Sequence, residues 1–178
     1  MGYLKPDTLA SNKLRLLPKA ELWQFGVLHS AMHMAWTRYT CGRLKSDFQY
    51  SIHIVYNNFP WPDLAQNSKP DQPAGTLDKA QTAIESAAQA VLDVRAKFQS
   101  GDQAATLADL YDPLTMPPEL LKAHQKLDAA VDKAYEASGG KKSYKSDVER
   151  VAFLFELYQK YTSLLPSDKP KSKRRKLP

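Results

Sequence analysis

Cysteine is almost missing from this chain of 178 residues: Cys41 stands alone, which excludes an internal disulfide and a zinc cage built from thiolates. The four histidines, His29, His33, His53 and His124, are not grouped with other soft ligands. His29 and His33 have the i, i+4 spacing of a helical zinc pair, but no carboxylate or cysteine completes a set, so polar neighbours on a helix flank is the preferred reading and no metal site is expected. No run approaches about 18 consecutive apolar residues, and the first residues lack the basic-then-apolar order of a signal peptide. A soluble cytoplasmic protein with no membrane partner is therefore expected. Glycine is scarce, 7 residues against 12 prolines, which points to several hard stops between helices. A Gly-x-Gly turn is absent, as is any Asp-x-Lys or Glu-x-Lys, the spacing common in magnesium-dependent nucleases. No catalytic residue can be assigned.

What is there suits an ordinary globular body. Apolar residues make up 43% of the chain and charged residues 25%, and the length allows one domain or two small ones. The net charge of +6 is unevenly spread. Basic residues outnumber acidic ones seven to four in 1–63 and eleven to four in 141–178, whereas acids lead eleven to seven in 64–140. A polyanion surface is expected at the two ends, and the acids of the middle, Glu85 and Asp93 among them, on a solvated helix face.

Leu22, Phe25, Leu28, Met32, Trp36 and Tyr39 recur at three and four residues and predict a single helix over 19–40, stopped by Cys41-Gly42. The period then changes to two: Phe48, Tyr50, Ile52, Ile54 and Tyr56 alternate with Gln49, Ser51, His53 and Val55, predicting a strand that Pro60 and Pro62 end. No second alternating run offers it a partner, so it reads as part of a larger sheet. Residues 66–75 read as a linker. Ala80, Ile84, Ala87, Val91, Val94 and Phe98 predict a helix from Leu77 to Gly101. A short turn over 105–110 and an extended crossing from Tyr111 lead to a third helix started by Pro117 or Pro118, with Leu120, His124, Leu127, Val131 and Ala134 inward, stopped at Gly139-Gly140. Ser146 and Glu149 form a predicted capping box for a last helix whose buried stripe is Val148, Val151, Phe155, Tyr158 and Leu165. Six basic residues from Lys169 to Lys176 predict a disordered tail over 166–178.

Two stretches carry a resemblance. The first runs from Met32-His33-Met34-Ala35-Trp36 through Cys41-Gly42-Arg43-Leu44-Lys45-Ser46-Asp47-Phe48-Gln49-Tyr50-Ser51 to Val55-Tyr56-Asn57-Asn58-Phe59-Pro60-Trp61-Pro62. The second is Leu107-Ala108-Asp109-Leu110-Tyr111-Asp112-Pro113-Leu114 with Met116-Pro117-Pro118-Glu119-Leu120 and Leu127-Asp128-Ala129-Ala130-Val131-Asp132. Together they resemble the end of the target-recognition domain and the C-terminal helical region of MmeI-like (type IIL, or IIG) restriction-modification adenine methyltransferases. The resemblance implies a parent that uses S-adenosylmethionine, and Mg²⁺ if a nuclease accompanies it, but neither is assigned to this chain. The Asn/Asp-Pro-Pro-aromatic turn that holds a flipped base is also lacking, since Asp112-Pro113-Leu114 and Met116-Pro117-Pro118-Glu119 each miss a required residue.

The resemblance sets Lys45 and Asp47 on a pair of base-reading positions. An ammonium donates to guanine O6/N7 and a carboxylate accepts from cytosine N4, so two such groups projecting from one face of a strand can read one G·C pair; a surface Lys-Asp pair on a turn is the plain alternative. Arg43 and Ser46 are candidates for phosphate contacts, with Arg43 equally able to cap the preceding helix. The Asn57 to Pro62 string is read as a packed exit in preference to a base-stacking platform, and Met32, Met34 and Trp36 as core or interdomain contacts. The expected architecture is mainly α, antiparallel helices with a small β segment near 48–57 belonging to a recognition-domain sheet. The expected division is 1–65 recognition, 76–165 helical. The expected partners are double-stranded DNA and the parent's methyltransferase domain. A helical scaffold that clamps domains without touching DNA is the competing class, and an independent small regulator a third.

Overall fold

The computed structural model describes residues 2–4, 7–11, 14–64, 79–100 and 104–163. The predicted linker over 66–75, Leu77, Gly101, Leu165 and the basic tail fall outside these. Six α-helices account for most of the described chain: α1 (Leu22–Leu28), α2 (Ala31–Thr40), α3 (Lys79–Phe98), α4 (Leu107–Leu110), α5 (Pro118–Ala134) and α6 (Asp147–Thr162). Two short strands, β1 (Gly42–Leu44) and β2 (Asp47–Gln49), form the only sheet among the described residues. The mainly α expectation holds. None of the described helices is long and apolar enough to cross a membrane.

The single predicted helix over 19–40 is two helices. Ser30 breaks it: its hydroxyl accepts from the His33 N–H, and its own backbone is extended, so α2 starts afresh with a capped N-terminus. The cap has a second part from far along the chain, since the Asp128 carboxylate of α5 accepts from the Ala31 N–H at 2.7 Å. A carboxylate there satisfies an orphan donor and complements the positive end of the helix. Glycine does not stop α2. Cys41 turns extended, with φ −80° and ψ 138°, and Gly42 is already in β1.

The predicted strand over 48–56 is also corrected. Its first residues belong to β2, but Ile52–Tyr56 form a π-helical turn, closed by the Asn57 N–H on the Ile52 carbonyl at 2.8 Å. Ser51 caps it by accepting from the Ile54 N–H, and the Trp36 indole N–H takes the Val55 carbonyl at 2.9 Å. Val55, placed by alternation on the polar face, is fully buried, whereas Ile54 is 55% exposed. Local capping and one indole bond thus override a two-residue pattern. Beyond it Phe59 is buried, Pro60 accepts from the Tyr135 hydroxyl at 2.9 Å and Trp61 meets Trp23 edge-on, as a packed exit requires.

α3 and α5 form the central pair, with α1 laid across both and α2 against α6. Ile84, Ala88 and Val91 of α3 meet Leu120, Leu127 and Val131 of α5 in one core that also takes Met32 and Trp36. Met34, by contrast, is largely exposed. Arg95 of α3 is buried as well; it donates through Nε to the Tyr111 hydroxyl at 2.7 Å, and that hydroxyl lies 2.7 Å from His124 Nε2. The crossing between Leu110 and Pro118 is a compact turn and not extended, because Asp112 accepts from the Leu114, Thr115 and Met116 N–H groups. α5 runs on as a 3₁₀ turn to Ser138, and Gly139 ends it at φ 91°. In α6 the buried stripe is Val151, Leu154 and Leu157; Val148 and Phe155 stand exposed, one step off the predicted face. The predicted capping box is half made: Ser146 accepts from Glu149 N–H, but the Glu149 carboxylate turns to the Lys145 N–H.

Gly26 marks where α1 approaches closest, since a Cβ there would lie 2.6 Å from Ile84 Cγ2 and 3.2 Å from Leu127 Cδ1, both in fully buried residues. Gly26→Ala should therefore lower stability by about 1–3 kcal/mol through overpacking, in spite of up to about 1 kcal/mol of helix propensity gained. Thermal denaturation of the two forms measures it, and a raised melting temperature would contradict this packing.

Candidate functional site

β1 and β2 pair antiparallel with Gly42 opposite Gln49, Arg43 opposite Phe48 and Leu44 opposite Asp47. Residues 42–44 are thus the first strand of a hairpin, and the partner that the alternating run seemed to lack is the segment just before it. Lys45 and Ser46 form the two-residue turn. Lys45 has φ 55°, in the left-handed region, and Ser46 does not. That is the sign pattern of a type II′ turn, whose first central position normally takes glycine. A lysine there stores strain of roughly 1–2 kcal/mol.

All six strand residues and both turn residues are exposed. The hairpin has no buried face, so it is a projection and not part of the core. Across it the Arg43 guanidinium lies over the Phe48 ring, 4.5 Å from the centroid, a contact that stiffens a ribbon with no other side-chain packing. Arg43 therefore does not cap α2. Lys45, Ser46 and Asp47 sit together at the tip, but not as two residues of one strand: Lys45 lies in the turn and Asp47 opens β2. Among the described residues neither has an ion-pair partner within 4.0 Å.

Two residues that sequence reasoning read otherwise, His33 as a polar neighbour of His29 and Tyr50 as a strand position, hold the base of this projection. Tyr50, the first residue beyond β2, puts its hydroxyl 3.0 Å from Nε2 of His33, which is buried in α2 and meets Phe59 edge-on at 4.9 Å. Burial pushes His33 down to about 4, partly countered by its bond to the Leu28 backbone, and pushes Tyr50 up to about 12. The ring is neutral and Tyr50 keeps its proton. His29, whose Nδ1 lies 3.0 Å from the Phe25 carbonyl, is likewise held neutral by burial, at about 3. The i, i+4 histidines thus serve different neighbours, and no group of three metal-ligating side chains occurs among the described residues. A cavity of about 230 Å³ beside His29, Arg95, Leu107 and Tyr111 is smaller than the 300–1,000 Å³ usual for small-molecule sites.

Comparison with known proteins places both halves. The family described as MmeI, target recognition domain, matches residues 1–63, and that described as MmeI, C-terminal domain, matches 76–166. The chain belongs to the MmeI family. DNA methyltransferase A of Bacillus subtilis (strain 168) is 40% identical over 162 residues, which is 91% of this chain and 16% of that protein. A solved structure of the Type IIL restriction-modification enzyme MmeI in complex with DNA is 47% identical, with a TM-score of 0.64 over 83% of this chain and 17% of that one. The chain therefore spans about a sixth of the length of these MmeI-family relatives.

His33, His29 and His124 are all neutral when folded, the last lowered to about 4 by burial and by Arg95. Each titrates near 6.5 when unfolded, so the unfolded chain takes up protons first. The stability that these neutral rings provide is complete above about pH 6.5 and is lost as pH falls toward 4. Melting temperature should fall over that window, and His33→Gln should shrink the fall; the same slope in both proteins would contradict a buried neutral His33.

Proposed function

We propose that this chain reads duplex DNA for a larger methyltransferase or restriction-modification polypeptide, with the β1–β2 hairpin entering the major groove. The observation that carries the reading is the exposed hairpin with Lys45 held at its tip against the backbone's preference. A two-stranded ribbon fits a groove about 12 Å wide, and a strained non-glycine residue at a turn is a pointer to function. The family match and the DNA complex of the MmeI structure support the same reading.

In this reading Lys45 and Asp47 face base edges, Lys45 donating to guanine O6/N7 and Asp47 accepting from cytosine N4, for about 1–3 kcal/mol of discrimination. Arg43 and Ser46 are assigned to backbone phosphates, which fix register. Arg43 also keeps Phe48 beneath it, so the residue that touches a phosphate stiffens the ribbon that carries the readers. Methyl transfer to adenine belongs to the remainder of the polypeptide, which would flip the base and use S-adenosylmethionine. The residues present do not fit that cofactor: among the described residues no glycine turn follows a strand, and the cavity beside Arg95 is small. One observation favours a clamping role alongside reading: Leu9, Leu14 and Leu16 are 98%, 53% and 62% exposed, apolar side chains suited to an adjoining part of the same polypeptide.

The test uses the full-length polypeptide and a pool of duplexes varied at each position. Exchanging the charges, Lys45→Asp with Asp47→Lys, should change the accepted base pair at one position and nowhere else. Lys45→Gly separates shape from reading, because glycine suits the turn better than lysine yet removes the donor. It should keep the hairpin and lose about ten- to hundredfold in discrimination. Unaltered sequence preference in both variants would refute the assignment.

A further inference from the structure

We infer a second DNA-contacting surface, on the loop between α5 and α6, that takes backbone phosphates beside the groove occupied by the hairpin; the inference rests on the duplex-reading function proposed above. Lys141, Lys142 and Lys145 lie within this loop and are exposed. Tyr144, between them, is buried: its hydroxyl accepts from the Lys141 N–H at 3.0 Å and its ring packs against Phe153 at 5.8 Å. Gly140 lets the loop close, since a Cβ there would lie 2.7 Å from the Tyr144 hydroxyl and 2.8 Å from the Tyr135 carbonyl. The loop is thus folded inward on its tyrosine, with its cations left outside.

Nearby acids are engaged. Asp147 pairs with Arg38 and lies 4.0 Å from Arg150, and Asp132 takes Arg150 at 2.8 Å. Glu149 accepts from the Lys145 N–H, which helps hold its carboxyl below the usual range, and lies 3.5 Å from Lys141 Nζ. Among the described residues no carboxylate lies within 4.0 Å of the Lys142 or Lys145 ammonium. The Arg38–Asp147 pair also fixes where the loop stands. Arg38 is in the last turn of α2, one helical turn before Gly42 opens the hairpin, so the start of α6, with Lys145 two residues before Asp147, is tied to the hairpin's foot. With a ribbon in a groove about 12 Å wide, the flanking phosphates run past that foot. Two compact ammonium groups on a fixed loop suit phosphate oxygens and carry no sequence information.

The experiment compares the full-length polypeptide with its Lys142→Gln/Lys145→Gln variant, measuring affinity for a specific and a non-specific duplex over a range of salt. Loss of two phosphate contacts should make the plot of log affinity against log salt shallower by about two, equally on both duplexes and with base preference unchanged. Lys122→Gln, on the exposed face of α5, serves as the control and should leave the slope alone. An unchanged slope in the double variant would overturn the inference even if the hairpin exchange redirects sequence preference. A loss confined to the specific duplex would overturn it too, since that would mean a disturbed hairpin. If the hairpin exchange has no effect and the slope still flattens, the loop surface stands and the reading by the hairpin falls.

Discussion

The arrangement depends on how α2 is held. A helix of ten residues contributes little stability by itself, yet this one carries the hairpin at its C-terminal end and must present it at a fixed angle. Asp128 of α5 takes the first amide of α2, and Asp147 of α6 takes Arg38 in its last turn. Both ends of a helix in the recognition region are therefore fastened to helices of the C-terminal region. Burial raises the Asp128 carboxyl above its usual range, with the Ala31 N–H acting in the opposite direction; a buried charge of this kind is kept by a specific donor and not by solvent. The nearly buried Arg150–Asp132 pair then ties α5 to α6, so that the two fastenings move as one body.

On this base the projection needs few further contacts. An isolated two-stranded hairpin is marginal in water, and β1–β2 buries no side chain. Its order comes from its ends: Cys41 leaves α2 directly into β1, and Tyr50 leaves β2 directly onto His33. The Trp36 bond to Val55 and the π-helical turn then return the chain to the core. Rigidity at the foot and exposure at the tip suit a group that must meet a partner's base edges without first being ordered.

Much of this was legible in the residues. The start of α5 followed from its prolines, the end of its 3₁₀ extension from Gly139, and the inward face of α5 from Leu120, Leu127 and Val131, because helical period and proline act locally. The resemblance pointed to the region around Lys45 before any geometry was available. What sequence reading missed had long-range causes. Nothing near residue 30 announces that an aspartate ninety-seven residues away will cap a new helix. The hairpin escaped notice because Lys45-Ser46 is not one of the glycine or asparagine pairs that signal a two-residue turn. The alternation from Phe48 to Tyr56 misled because only its first residues pair with a strand, and the rest answer to Trp36. In α6 the face was misjudged by one step, since the aromatic at 155 lies tilted against Trp36 and leaves part of its ring exposed. Asp128 and Asp132, part of the string that carried the resemblance, prove to be the polar links between helices.

The most direct measurement is methylation interference at guanine N7, a major-groove atom, with the full-length polypeptide on its own recognition sequence. The account predicts one guanine whose N7 methylation blocks binding of the natural protein and ceases to matter when Lys45 is replaced by alanine. An interference pattern identical in the two proteins would contradict entry of this hairpin into the major groove.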